Sequence, residues 1–456
     1  MQPDPAPADL SSTRIELAER AVPRYTSYPT APHFGPAVDA ATYRCWLGTL
    51  SPCDDLSLYL HVPFCAAMCA YCGCHTKVVR RDEPIRAYER RLIAEIDRVA
   101  GATPARKVRH IHWGGGTPSM LGEGGLAAIA ERLALRFSLE AGHEHAIELD
   151  PRQVTAALAA SLARMGVTRA SLGVQDLNEH VQKAIGRVQP LAVVAAAVEA
   201  LRRAGIGAVA FDLMYGLPRQ GDADLMATIE QVGRLRPDRV ALFGYAHVPW
   251  FKTHQRLIDV AALPDAQARF RQAALARAAL TALGYQAIGL DHFALPHDPM
   301  AVAARARDLR RNFQGYTTDS ARALIGFGAS AIGRLPQGFV QNAPDLGGYQ
   351  RAIDRGELAT VRGLALSQED RVRAAVIERL MCDFAADLEE EAGRFGLSAD
   401  LFDRDLDRLA RLEEDGIVAR CGRRVSVPEA GQPFVRVVAS MFDAHLARAG
   451  RHSAAV

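Results

Sequence analysis

The chain of 456 residues is 49% hydrophobic, 23% charged and 7% aromatic, which excludes disordered, collagenous and low-complexity classes and leaves ample chain for a buried core. Fifty-four Lys plus Arg against 52 Asp plus Glu leave a net charge of +2, too small to announce a nucleic-acid or membrane-surface partner. The opening MQPDPAPADLSS has neither an apolar core nor a basic flank, and no stretch approaches about 18 uninterrupted apolar residues, so a cytoplasmic protein without membrane insertion is expected. Eight cysteines are too sparse for a disulfide scaffold, yet Cys65, Cys69, Cys72 and Cys74 fall within ten residues.

Residues 1–50 read as an irregular arm rich in Pro and aromatics, including PRYTSYPTAPHF at 23–34. From residue 56 onward, β-rich runs alternate with helical patterns. The strands are SLYLHV (57–62), RHIHW (109–113), HAIELD (145–150), RASLGV (169–174), VAFDLM (209–214) and RVALFGYAH (239–247). Between them, 86–100, 126–136, 157–165 and 191–204 carry apolar residues at helical spacing. Repeated βα units predict an α/β fold: a partial (β/α) barrel with parallel strands and right-handed crossovers. Its functional groups belong on the loops that leave the strand C-termini. This barrel domain with its extension spans 51–363. Beyond it, 369–384, 388–395 and 399–415 have helical spacing, so 364–456 reads as a mainly helical domain, a lid or docking module. Its DGIVARCGRRVSV (415–427) has the pattern of a small hairpin.

Cys65, Cys69 and Cys72 form C-x3-C-x2-C directly after the strand that ends at Val62-Pro63. Three thiolates on one tight loop suit two kinds of site. A structural zinc would need a fourth ligand, which Cys74 or His75 could supply. A [4Fe-4S] cluster held by three cysteines leaves one iron open for a substrate or cofactor, and the spacing favours this reading.

The C-x3-C-x2-C loop after the first strand of a βα series resembles the radical S-adenosylmethionine (SAM) enzymes, in which the open iron chelates SAM and a reduced cluster cleaves it to a 5'-deoxyadenosyl radical. HWGGGTPS (112–119) is similar to the family's glycine-rich strand end, where backbone approaches the methionine end of SAM. Further strings, among them PRYTSYPT, LHVPFCAAMCAYCGCHT, IELDPR, SLGVQDL, FDLMYGLP, GYAHVP, DHFALP and RRNFQGYTT, resemble the oxygen-independent coproporphyrinogen III oxidase family within that superfamily. Related haem carriers share the triad but typically have Phe where this chain has Cys74.

The resemblance implies that Cys65, Cys69 and Cys72 hold the cluster, with Cys74 beside it but not a ligand. It implies Tyr59, Glu148, Gly115 and the Ile332 backbone at a first SAM. A second SAM would be met by Gly116, Thr117, Tyr71, Gln175, Arg187, Asp212 and Ala246, where Arg187 would pair with a carboxylate. The flanks of Arg187 depart from the family pattern. Coproporphyrinogen III is the implied substrate; its four propionates call for Arg and Tyr groups, for which Arg24, Tyr25, Tyr28, Arg311 and Asn312 are candidates. The implied partners are a reductant such as flavodoxin or ferredoxin and an electron acceptor, with a monomer as the default state. His61, His112, His247 and His292 receive no role.

Overall fold

The structure, a computed structural model, describes residues 12–446 and 455. Six strands follow the expected alternation: β1 (Asp55–Val62), β2 (Lys107–Gly115), β3 (Ser138–Leu149), β4 (Arg169–Gln175), β5 (Ala208–Tyr215) and β6 (Arg239–Gly244). Each pairs in parallel with the next in chain order. The crossovers are the helices Asp82–Ala102, Gly122–Arg136, Ala156–Arg164, Leu191–Arg203 and Asp222–Leu235. Their sequences explain them. Asp82–Ala102 buries Ile85, Tyr88, Leu92, Ile96 and Val99, one stripe at steps of three and four, and Thr155 caps Ala156–Arg164 by accepting from Leu158 N. Under the helices, Leu56, Leu58, Leu60 and Val62 are wholly shielded from water, each such side chain contributing about 1.5–3 kcal/mol.

Six shorter strands extend the sheet: β7 (Gln286–Ile288), β8 (His292–Ala294), β9 (Ala323–Phe327), β10 (Ile332–Leu335), β11 (Gly338–Asn342) and β12 (Thr360–Ala365). The twelve strands lie in the order β12-β11-β10-β9-β1-β2-β3-β4-β5-β6-β8-β7. β9 joins β1 in parallel, and the pairs beyond β9 and β6 are antiparallel. These strands escaped the sequence reading because they are short; β9 is buried at every residue and so shows no alternation.

The arm is not irregular throughout, a correction to the expectation for 1–50. It contains helices Ser12–Glu19 and Ala40–Gly48, the second capped by Asp39 and burying Tyr43 and Leu47. Val22, Tyr25 and Tyr28 join the apolar cluster of the C-terminal region, with Val376, Leu380, Phe434 and Val438. The hairpin expected within 415–427 forms as Ala419–Cys421 against Arg424–Ser426 and gains a third strand, Ala385–Asp387. The span 399–415 is three short helices, Ala399–Phe402, Asp403–Arg408 and Ala410–Glu414, in place of one. Among the described residues no helix is long and apolar enough to cross a membrane.

Candidate active site

At the C-terminal end of β1 the chain turns through Pro63, and a two-residue pairing of Phe64–Cys65 with Lys77–Val78 closes the cysteine loop. The glycine-rich end of β2 is fastened to this loop by two backbone bonds, Gly116 N to Val62 O and Thr117 N to Phe64 O, both 2.8 Å. The thiols point into a set of donors. Thr76 donates to Cys65 Sγ at 3.2 Å, the Cys74 backbone N–H to Cys72 Sγ at 3.4 Å, and Arg187 Nη1 to Cys69 Sγ at 3.6 Å. From outside, Lys252 Nζ donates to Cys74 O (2.9 Å) and Gln255 Nε2 to Tyr71 O (2.9 Å), while His254 Nε2 lies 2.6 Å from Cys72 O. The Cys74 thiol as hydrogen-bond donor lowers the Cys72 thiol to about 6 against the opposing effect of burial, helped by the Cys74 N–H and the charges of His254 and Lys252. Burial moves Cys65 the other way, although Thr76 and Thr117 oppose it.

This donor set fits an iron–sulfur cluster. His75, the alternative zinc ligand, is turned to the Pro344 carbonyl. Among the described residues no three His, Cys, Asp or Glu side chains converge as a single ion requires, whereas a cluster of several irons spreads its cysteines more widely. The glycine strand end forms a cradle with no room for side chains. A Cβ on Gly114 would meet Glu148 Oε1 at 2.8 Å, and one on Gly115, which has φ +113°, would meet the His61 ring at 2.7 Å.

Tyr59, Gly115, Glu148 and the Ile332 backbone form one group. Glu148 Oε2 accepts from Gly115 N at 3.2 Å and its Oε1 lies 3.1 Å from His112 Nε2. Tyr59 stacks on the His112 ring with centroids 6.0 Å apart, and its hydroxyl lies 3.0 Å from His61 Nδ1. Burial lowers His61 to about 4, so the ring bridging Tyr59 to the His75 carbonyl is neutral. Tyr59 is in register with Gly326, over which the Ile332 carbonyl is packed so closely that an added Cβ would come within 2.7 Å. Sequence alone assigns His112 no role; the register of β2 and β3 pairs it with Ala146, two residues before Glu148 on the same strand, and so brings its ring to the carboxylate, which no single-strand pattern reveals.

The second set lies along the other strand ends. Arg187 is buried, not a solvated charge: it donates to Gly173 O (2.9 Å) and Gln189 Oε1 (3.0 Å) and pairs with Asp150 at 3.4 Å. Burial opposes its charge, but Tyr71, Asp150 and Cys69 more than offset that, so the guanidinium stays charged beside the Tyr71 ring. Gln175 closes β4 with φ +64°, and Asp212 on β5 accepts from Ser171 at 3.0 Å. Burial, with Glu148 nearby, raises Asp212 to about 6. Ala246 follows β6, and its carbonyl accepts from Gln255 at 3.2 Å.

The candidates for the propionates separate. Tyr25 donates to Asp443 Oδ2 and Tyr28 accepts from Ala444 N, both at 3.0 Å inside the C-terminal core, so these two tether the arm and are withdrawn as anchors. Asn312 accepts from Gln314 N in its own turn. Arg24 and Arg311 border a cavity beyond β6.

Residues 59–232 match the radical SAM superfamily. With the three-cysteine loop and glycine cradle at the mouth of a parallel βα sheet, this defines the class, a radical SAM enzyme. Residues 366–434 match the HemN C-terminal domain. The chain is 50% identical over 440 residues to the oxygen-independent coproporphyrinogen III oxidase of Bradyrhizobium diazoefficiens, covering 96% of this chain and 97% of that one. It is 43% identical to the enzyme of the same name from Paracoccus denitrificans, covering 97% and 98%. The solved structure of Escherichia coli coproporphyrinogen III oxidase, HemN, a radical SAM enzyme, superposes with a TM-score of 0.89 at 36% identity, covering 94% of this chain and 100% of that one. The chain belongs to the oxygen-independent coproporphyrinogen III oxidase family.

Proposed function

We propose that the chain converts coproporphyrinogen III to protoporphyrinogen IX without oxygen, by oxidative decarboxylation of the propionates on rings A and B. The observation that carries this is the cysteine loop locked to the glycine strand end, with the Glu148 carboxylate on Gly115 N. Cys65, Cys69 and Cys72 hold a [4Fe-4S] cluster, and two SAM molecules bind beside it. When bound, these groups supply a 5'-deoxyadenosyl radical able to take hydrogen from an unactivated C–H, which no side chain can do. Each propionate then loses one β-hydrogen atom, CO2 and one electron and becomes a vinyl; the electrons leave to an external acceptor.

The chain's residues position and shield. Glu148 offers a carboxylate to a cationic sulfonium cofactor, Gly115 and the Ile332 backbone let it approach, and Tyr59 presents its phenol between His61 and His112. Tyr71, Gly116, Thr117, Gln175, Arg187, Asp212 and Ala246 meet the second SAM, with Arg187 available for a carboxylate. Cys74 lies against Cys72 and modulates it without ligating the cluster. The described parts of the arm (within 1–50) and of the C-terminal domain (within 364–456) serve as a lid on the barrel (51–363) that excludes water and oxygen. The enzyme works as a cytoplasmic monomer fed by flavodoxin or ferredoxin. The test is an anaerobic assay of cluster-reconstituted protein with coproporphyrinogen III, SAM, reductant and acceptor, read by mass spectrometry. Protoporphyrinogen IX that disappears in Cys69→Ser supports the proposal; SAM cleavage over an intact cluster without product refutes it.

A further inference from the structure

Beyond the ends of β5 and β6 lies a cavity of about 370 Å³, walled by the barrel, by the arm through Arg24 and by the C-terminal region through Gln432 and Arg436. Five arginines border it: Arg24, Arg269, Arg277, Arg311 and Arg436. Among the described residues of its wall a single carboxylate faces them, Asp291, and it is already bonded to His292 Nδ1 at 2.7 Å. The remaining wall is apolar, chiefly Phe243, Phe270, Phe293 and Leu290.

The arginines divide by what their N–H groups do. Arg436 donates to the carbonyls of Pro23 (3.1 Å), Ala455 (3.0 Å) and Val22, and so pins the arm. Arg277 donates to Gln432 Oε1 at 2.9 Å. Arg311 holds Tyr25 O and Arg24 O at 3.1 and 3.2 Å through Nε and Nη2, but its Nη1 is buried with no hydrogen-bond partner. Arg269 Nε is likewise buried and unpartnered. Buried guanidinium N–H groups without acceptors are costly, and several cations around one acid repel one another. Burial, reinforced by Arg24 and Arg311, lowers Arg436 to about 9, and burial with Arg24 lowers Arg269. Among the described residues the cavity wall is therefore short of negative charge and rich in ring surface, which suits an apolar body that carries at least two carboxylates.

We propose that this cavity is the anchoring pocket for the carboxylate-bearing edge of the tetrapyrrole, with Arg269 and Arg311 each taking a propionate carboxylate. The proposal rests on the reading of the chain as a coproporphyrinogen III oxidase. The pocket abuts the reaction site: Ala246 lines it, and the Gln255 amide that holds the Ala246 carbonyl also holds Tyr71 of the cysteine loop. Only part of the macrocycle enters, which leaves the opposite edge toward the cysteine loop. Arg269 is the more informative residue to change, since Arg311 also secures the arm.

The test is a fluorescence titration of cluster-reconstituted wild type, Arg269→Gln and Arg269→Lys with coproporphyrin III and with its tetramethyl ester, alongside KM and kcat for coproporphyrinogen III. Arg269→Gln is expected to weaken coproporphyrin III binding and raise KM by roughly tenfold or more, while Arg269→Lys recovers part of the loss. The ester should bind all three proteins equally weakly. Iron content equal to wild type identifies a folded variant. Equal affinity of wild type and Arg269→Gln for the free acid, or wild type binding the ester as tightly as the acid, overturns the pocket assignment while leaving turnover intact. Wild type without turnover overturns the underlying reading and this proposal with it.

Discussion

Gly116→Ala puts one methyl group at the seam between the glycine strand end and the cysteine loop. An ideal Cβ there would meet the Phe64 carbonyl carbon at 2.9 Å and press harder still on its oxygen and on the Thr76 hydroxyl. The carbonyl belongs to rigid backbone directly before Cys65, and Thr76 is the donor to Cys65 Sγ, so neither neighbour can yield without moving that thiol. Overpacking costs about 1–3 kcal/mol, and parting the seam adds about 1 kcal/mol for each of the bonds Gly116 N–Val62 O and Thr117 N–Phe64 O, for a total of about 3–5 kcal/mol. Gly124→Ala is the control: its Cβ meets nothing within 4 Å on a helix surface, where Ala is favoured over Gly by about 1 kcal/mol. Iron content after anaerobic reconstitution and the thermal midpoint of the unreconstituted protein measure both. Gly116→Ala should lose cluster and melt several degrees lower, with Gly124→Ala unchanged or slightly more stable. A Gly116→Ala protein with full iron and wild-type melting would refute the reasoning.

Glu148→Gln keeps an oxygen for Gly115 N and removes the charge, so the fold should persist while SAM affinity of the reconstituted protein falls roughly tenfold or more; an unchanged dissociation constant by anaerobic calorimetry counts against the role of the carboxylate. Arg187→Lys cannot span Gly173 O, Gln189 Oε1 and Cys69 Sγ together, and should cost about 1.5–3 kcal/mol and reduce iron retention, read by melting and iron assay. Glu95 is buried and accepts from Gly328 N, Asn342 and Tyr349; burial outweighs these donors and raises it to about 7 from 4.5. Since the folded state holds this proton more tightly, stability is fully present below about pH 4.5 and falls by about 3 kcal/mol as pH rises to about 7. The thermal midpoint of wild type should therefore drop across that window relative to Glu95→Gln, and parallel profiles would contradict it.

What the sequence disclosed follows from range. The six barrel strands and their helices rest on local alternation and helical stripes, and Cys65, Cys69 and Cys72 sit on one loop, so all were legible. Tyr59, Glu148 and Gln175 were singled out by motif resemblance alone, and the fold puts Glu148 and Gln175 at the ends of their strands. Partnerships across strands were not: the His112–Glu148 pair depends on register, and the bracing of the loop by Lys252, His254 and Gln255 joins residues some 180 positions apart. The arm misled for a similar reason. Tyr25 and Tyr28 have the look of ligand groups, but their hydroxyls meet Asp443 and Ala444 at the far end of the chain. Arg269, Arg277 and Arg436 carry no motif in a chain with 54 basic residues; only the fold gathers them around one cavity.

The central claim is that a radical made beside the cysteine loop takes a hydrogen atom from the β-carbon of a propionate. Coproporphyrinogen III deuterated at those carbons, turned over anaerobically by the reconstituted enzyme with SAM, tests it most directly. Deuterium recovered in 5'-deoxyadenosine, with one CO2 released for each vinyl formed, is the predicted result. Vinyl product accompanied by unlabelled 5'-deoxyadenosine would contradict the account.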